Sequence, residues 1–147
     1  MSTATIAASV DLRQARAAAI AAKGDVTILE DGSFSVASQS HTDVRYHVTA
    51  DYWCECQDAV RHPGECKHGL AARALARAIA KAEAAAAAGT LGELERSVTS
   101  YAPARNQFEV DTLALVKRAC RMVRARQRFA CFDLIPAATV DDWRTAA

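Results

Sequence analysis

The chain has 147 residues, a formal net charge of +1 and five cysteines. That length suits one compact domain, or a small domain with appendages, and the balanced charge by itself points to no strongly charged partner. Hydrophobic residues reach 51%, but much of that content is alanine, which buries little surface, so the core is small and of the kind that a metal or disulfides commonly staple.

No basic region followed by an apolar run opens the chain, because Asp11, Arg13, Gln14 and Arg16 interrupt it, so no secretion signal is expected. No run of about 18 uncharged apolar residues occurs, so no membrane span is expected. With an odd cysteine count and no secretion signal, a disulfide framework is not expected. The protein reads as cytoplasmic, where grouped cysteines more often bind metal.

In chain order, residues 1–10 read as an unstructured start. A helix is expected from about Asp11 to Lys23, with Leu12, Ala15, Ala19 and Ile20 at helical spacing and Gly24 as its stop. Val26, Ile28, Phe34 and Val36 then suggest two short strands around an Asp31-Gly32 turn. A third strand alternates Val44, Tyr46 and Val48 with Arg45, His47 and Thr49. Tyr52-Trp53 leads into Cys54. A long helix is expected from Cys66 to about Ala88, ending at Gly89. Residues 89–109 read as a linker with one short helical turn near Leu91–Leu94. A second long helix is expected over Val110–Arg128, with the tail left open. The expected organisation is a helical segment over 1–24, a metal-binding domain over 25–88, the linker, and a basic helix with its tail over 110–147.

The cysteine pattern carries the chemistry. Cys54 and Cys56 stand at i and i+2; after nine intervening residues Cys66 and His68 repeat the step. In extended chain, side chains at i and i+2 point to the same side, so each pair can reach one ion. Three sulfurs and one imidazole make a closed, tetrahedral, structural zinc set rather than an open catalytic one. Three thiolates leave excess negative charge, which Arg61, Lys67 and the positive end of the following helix can offset. At about 100° per residue, His68 falls on the helix face of Leu75 and Ile79, so it points inward. Two cysteines at this spacing can also be buried small residues, and isolated Cys120 and Cys131 read as just that. The doubled ligand spacing favours zinc for the other three. His41, His47 and His62 are single and read as solvent-facing.

At Cys54-Glu55-Cys56 and Cys66-Lys67-His68 the chain resembles the SWIM-type zinc finger, whose pattern is C-x-C-x(n)-C-x-H. Tyr46-His47-Val48 ahead of the first pair and Gly69-Leu70-Ala71-Ala72 after the histidine are also similar to that family, and the resemblance covers roughly Ser33 to Lys81. It implies two strands and a helix around one zinc. Many members carry a proline and an aromatic soon after the second cysteine; here Gln57-Asp58-Ala59-Val60 stands instead. The family occurs in chromatin-remodelling-type ATPases, transposases, ubiquitin ligases and recombination regulators, and its inferred role is binding DNA or protein. The chain shows no Walker-type loop and resembles a stand-alone form. The expected fold class is α+β: a ββα zinc-stabilised module with a short antiparallel sheet, flanked by an N-terminal helix and a basic C-terminal helix.

Charge is uneven. From Arg105 to Arg128 there are seven basic residues and two acidic ones. Lys117, Arg121, Arg124 and Arg128 share one helical stripe, opposite Leu115, Val116, Ala119, Met122 and Val123. Arg73, Arg77 and Lys81 repeat the pattern on the zinc helix. Such faces are commonly just solvated, but the scarcity of interleaved acids makes these seven residues candidates for phosphate contact. With aromatics at 6% and none among these arginines, sequence-specific single-strand recognition is disfavoured. Two functions follow as expectations. The first is a zinc-stabilised DNA-binding accessory. The second is an adaptor for an ATPase, recombinase or transposase partner, with Leu113, Phe129, Phe132 and Leu134 as contact candidates. With no open metal position, paired carboxylates or nucleophile beside a base, neither an enzymatic activity nor a small-molecule substrate is expected.

Overall fold

A computed structural model describes the backbone of residues 3–100 and 106–132 and the side chains of 12–100 and 106–128. Among the described residues, five helices and one three-stranded sheet make the fold α+β, as the sequence leads one to expect. The order is α1 (Thr3–Lys23), β1 (Val26–Ile28), β2 (Phe34–Ala37), β3 (Arg45–Val48), α2 (Gln57–Arg61), α3 (Lys67–Ala87), α4 (Leu91–Thr99) and α5 (Gln107–Phe132).

The sheet is an antiparallel meander, β1-β2-β3. Its register sets Val26 opposite Val36, Ile28 opposite Phe34, and Phe34 opposite Val48. Side chains alternate across a strand, so Val26, Ile28, Phe34, Val36, Tyr46 and Val48 share one face. Val26, Phe34, Val36 and Val48 are buried there. Val44 lies before β3 and is exposed. On the outer face Arg45 straps the strands together, donating to Ser35 Oγ at 2.8 Å and to Thr27 Oγ1 at 3.3 Å.

Helix α3 lies on the inner face and is flanked by α1 and α5. One cluster of buried side chains runs through all of them: Ile20 and Ala21 of α1, Leu75 and Ile79 of α3, Leu115 and Cys120 of α5, and the sheet valines. Alanines at 17, 71, 72, 78, 82 and 119 are buried at the crossings, which lets the helices approach closely while adding little apolar area. Arg118 crosses from α5 and donates to the carbonyls of Ala21, at 2.7 Å, and Val26, at 2.6 Å. It thereby satisfies the end of α1 and the start of β1 together. No described helix is long and apolar enough to cross a membrane.

Three boundaries differ from the sequence reading. Helix α1 begins at Thr3 rather than Asp11, because neither Gly nor Pro interrupts the preceding alanine-rich run. Helix α4 covers nine residues where one turn was expected. Leu91, Leu94 and Val98 stand at i, i+3 and i+7, with Leu91 and Val98 buried and Leu94 packed against the same core. Helix α5 starts three residues early because Asn106 Oδ1 accepts from Glu109 N at 2.9 Å, an N-cap inside what reads as linker. The end of α3 falls as expected. Gly89, at φ +75, donates to Ala86 O, and Thr90 N donates to Ala85 O. That reciprocal pair needs a left-handed residue after the cap, which glycine adopts without strain.

Candidate metal centre

The two ligand pairs arrive from different elements. Strand β3 ends at Val48, and the turn Thr49–Trp53 folds the chain back so that Cys54 bridges Val48. Thr49 N donates to Trp53 O at 2.8 Å, Tyr52 N to Thr49 O at 2.9 Å, and Trp53 N to Thr49 Oγ1 at 3.1 Å. The turn costs a left-handed residue, Tyr52 at φ +66, a conformation rare outside glycine and asparagine. Two contacts hold Tyr52 there. Its ring packs 5.9 Å from Phe34, and the Arg73 guanidinium lies 5.2 Å above it.

Cys56 is the N-cap of α2 and Cys66 the N-cap of α3, both in extended backbone. Helix α2 occupies the segment that departs from the SWIM pattern. Buried Ala59 anchors it, so one helical turn closes the knuckle in place of proline and an aromatic. Gly69 sits where α3 passes the turn; a Cβ there would stand 2.6 Å from the Tyr52 carbonyl oxygen. Only a residue with no side chain permits that approach, which brings the two pairs together.

The result is one cluster. The ligand atoms of Cys54, Cys56, Cys66 and His68 all lie within 4.8 Å of one another, and all four residues are buried. His68 is 3% exposed and Cys54 1%. Cys54 Sγ is 3.9 Å from His68 Nδ1, and the Tyr46 ring lies 4.5 Å from the imidazole. His68 Nε2 is buried without a hydrogen-bond partner among the described residues. An unpartnered buried polar atom costs about 1–3 kcal/mol.

The protonation pattern points the same way. Cys66 is pulled down to about 4, first by the hydrogen bond from Cys54, and further by His68 and by Gly69 N at 3.2 Å, against the opposing effect of burial. Cys54 is pushed upward, chiefly by that same bond to Cys66 and then by burial. Cys56 is pushed upward chiefly by burial. The crowding and burial of these neighbouring sulfurs work against ionising all three together. A divalent ion reverses this, since a coordinated thiol is deprotonated outright. Four buried soft donors around one point, with an underpartnered imidazole among them, therefore fit a metal ion.

The other candidates are more scattered. Cys120 is fully buried among apolar residues, as expected; the side chain of Cys131 lies outside the described residues. His41, His47 and His62 are exposed, as expected, although His47 Nε2 meets Ser33 Oγ at 3.0 Å. Among the basic residues, Arg77, Lys81, Arg121 and Arg128 are exposed and Lys117 is half-buried. Arg73 is engaged with Tyr52. Arg124 pairs with Glu95 of α4 at 2.5 Å, and neighbouring Arg126 with Glu83 of α3 at 3.0 Å. The acids missing within α5 come from other helices. Leu113 is half-buried, whereas the side chains of Phe129 and Phe132, and Leu134 altogether, lie outside the described residues. Sequence reasoning gave no role to Tyr52 or Arg118, and read Gly69 as part of the helix opening without its close approach to the Tyr52 turn. For Gly69 a signal existed, a glycine three residues after a helix-capping ligand; for Tyr52 and Arg118 there was none.

Searches among protein families, curated proteins and solved structures find no match to this chain.

Proposed function

We propose that this protein is a non-catalytic, zinc-stabilised binding module of SWIM-like type that serves as an adaptor between macromolecules. The buried cluster of Cys54, Cys56, Cys66 and His68 carries the reading. Three thiolates and an imidazole suit zinc, and all four positions are filled by protein, which leaves none for a substrate. Structural zinc contributes about 10–16 kcal/mol in small finger domains. That is comparable to the whole stability of an ordinary domain, about 5–15 kcal/mol, and large beside what an alanine-rich core supplies. The ion's work here is folding. What it supports is a surface formed by α1, α3 and α5.

A partner of ATPase, recombinase or transposase type accords with the SWIM resemblance. Binding to protein is favoured over binding to DNA by the pairing of Arg124 with Glu95 and Arg126 with Glu83, which spends cations that a phosphate backbone would need. A second reading, duplex DNA contact, draws on the exposure of Arg121 and Arg128, neither of which has an ion-pair partner among the described residues. Zinc analysis combined with a gel shift tests both. One zinc per chain without salt-sensitive retention of duplex supports the adaptor, and a zinc-free folded protein removes the reading altogether.

A further inference from the structure

A trough of about 620 Å³ runs along α3 between α1 and α5. Small side chains create it: Ala17 and Ala18 of α1 and Ala74 and Ala78 of α3 form its floor, with Leu115 and Val116 along the α5 side. Leucines at the alanine positions would fill it.

The walls are asymmetric. Arg73, Arg77 and Lys81 line one side at i, i+4 and i+8 of a single helix. They form a rail spanning about 12 Å at 1.5 Å per residue. None of the described lining residues is acidic. Arg77 and Lys81 make no ion pair among the described residues, whereas Arg13, Arg124 and Arg126 all do. On the opposite rim Phe108 is 44% exposed, a large apolar side chain left in water beside a groove.

We infer that this trough is the docking site for an acidic amphipathic helix of a partner protein. The inference rests on the adaptor reading and names its surface. An apolar floor accepts the apolar stripe of a helix laid along it. Carboxylates at i, i+4 and i+8 of that helix match the spacing of Arg73, Arg77 and Lys81. Phe108 closes over the far edge. A DNA backbone fits poorly, because the floor is apolar and the walls facing the rail carry no cation among the described residues, only Gln14 and Thr112. Arg73 joins the two parts of the molecule: its guanidinium rests on Tyr52, whose carbonyl abuts Gly69 beside Cys66. The metal cluster thus fixes the near end of the rail.

The test uses the full-length protein loaded with zinc. Fluorescence anisotropy follows a labelled peptide of about 18 residues, long enough to form an isolated helix, with leucines on one face and glutamates at i, i+4 and i+8. A peptide with glutamine for glutamate and a DNA duplex of roughly 20 base pairs serve as comparisons. The acidic peptide should bind in the micromolar range, and the glutamine peptide about tenfold more weakly. The double variant Arg77→Gln/Lys81→Gln should weaken the acidic peptide at least tenfold, and Phe108→Ala severalfold, with zinc still at one per chain. Equal binding of both peptides, binding of neither, or an unaffected double variant overturns the inference. Binding of the duplex alone, lost in the double variant, also overturns it and assigns the rail to phosphate. Failure of the underlying zinc module shows instead as missing zinc in the unaltered protein.

Discussion

The Tyr46 ring of β3 lies 4.5 Å from the His68 imidazole of α3, tilted by 33°. Strand and helix thereby meet at a candidate metal ligand, whose imidazole packs against the ring. Residues that orient ligands typically change metal affinity by about 10–100-fold when removed. Tyr46→Ala should therefore weaken zinc binding by about tenfold or more in competition with a chromophoric chelator. Tyr46→Phe keeps the ring and should bind zinc like the unaltered protein. If both variants bind equally well, the stacking does not hold the ligand.

Gly69 and Gly92 make a contrasting pair. A Cβ at Gly69 would stand 2.6 Å from backbone oxygen, whereas at Gly92 its nearest neighbour is an Arg124 side-chain nitrogen at 3.9 Å. Gly69→Ala must push α3 from the Tyr52 turn, at a cost of about 1–3 kcal/mol, and should lower zinc affinity as well. Gly92→Ala removes a poor helix former from α4 and should stabilise by about 0.5–1 kcal/mol. Thermal melts with zinc titrations read both signs. A harmless Gly69→Ala contradicts the close approach.

Arg118 behaves as part of the core although it belongs to a basic helix. Its two bonds to carbonyls of α1 and β1 are charge-assisted. Arg118→Ala should cost about 2–3 kcal/mol, lowering Tm by roughly 5–10 °C at this size. Exposed Arg121→Ala should stay within about 0.5 kcal/mol. Denaturant unfolding checks the difference, and similar values for the two would place Arg118 among solvated cations.

Much of this was legible beforehand where neighbours in sequence decide the outcome. The clustering of the four candidate metal ligands shows in two i, i+2 steps, the strands in their alternation of Val26, Ile28, Phe34 and Val36, and α3 in the path from Cys66 to Gly89. Long-range partners were not legible. Arg118 and Ala21 are 97 residues apart, so nothing near Arg118 separates it from Arg121. Glu95 lies in a stretch that reads as linker, which hid both α4 and the partner of Arg124. Tyr52 looks like a strand residue, and only the folded turn reveals its left-handed backbone. The trough needs three helices from distant segments, although its rail of Arg73, Arg77 and Lys81 was visible as a helical stripe.

The arginine stripe has its own test. At about 150 mM salt, the protein at micromolar concentration should not retain duplex DNA in a gel shift. Retention whose log affinity falls with log salt by about 0.9 per contact would favour the DNA reading. In that case Arg121→Gln/Arg128→Gln should flatten the slope by about 2 while leaving zinc content unchanged.

The central claim is that one zinc, held by Cys54, Cys56, Cys66 and His68, maintains this fold. Elemental analysis of the purified protein, paired with thermal melts before and after chelation, measures it most directly. The account predicts one zinc per chain. It also predicts a fall of roughly 20 °C in Tm, or loss of the cooperative transition, once the metal is stripped. Cys56→Ala and His68→Ala should reproduce that loss, and Cys120→Ser should keep its zinc. A metal-free protein that melts at the same temperature with and without chelator would contradict the account.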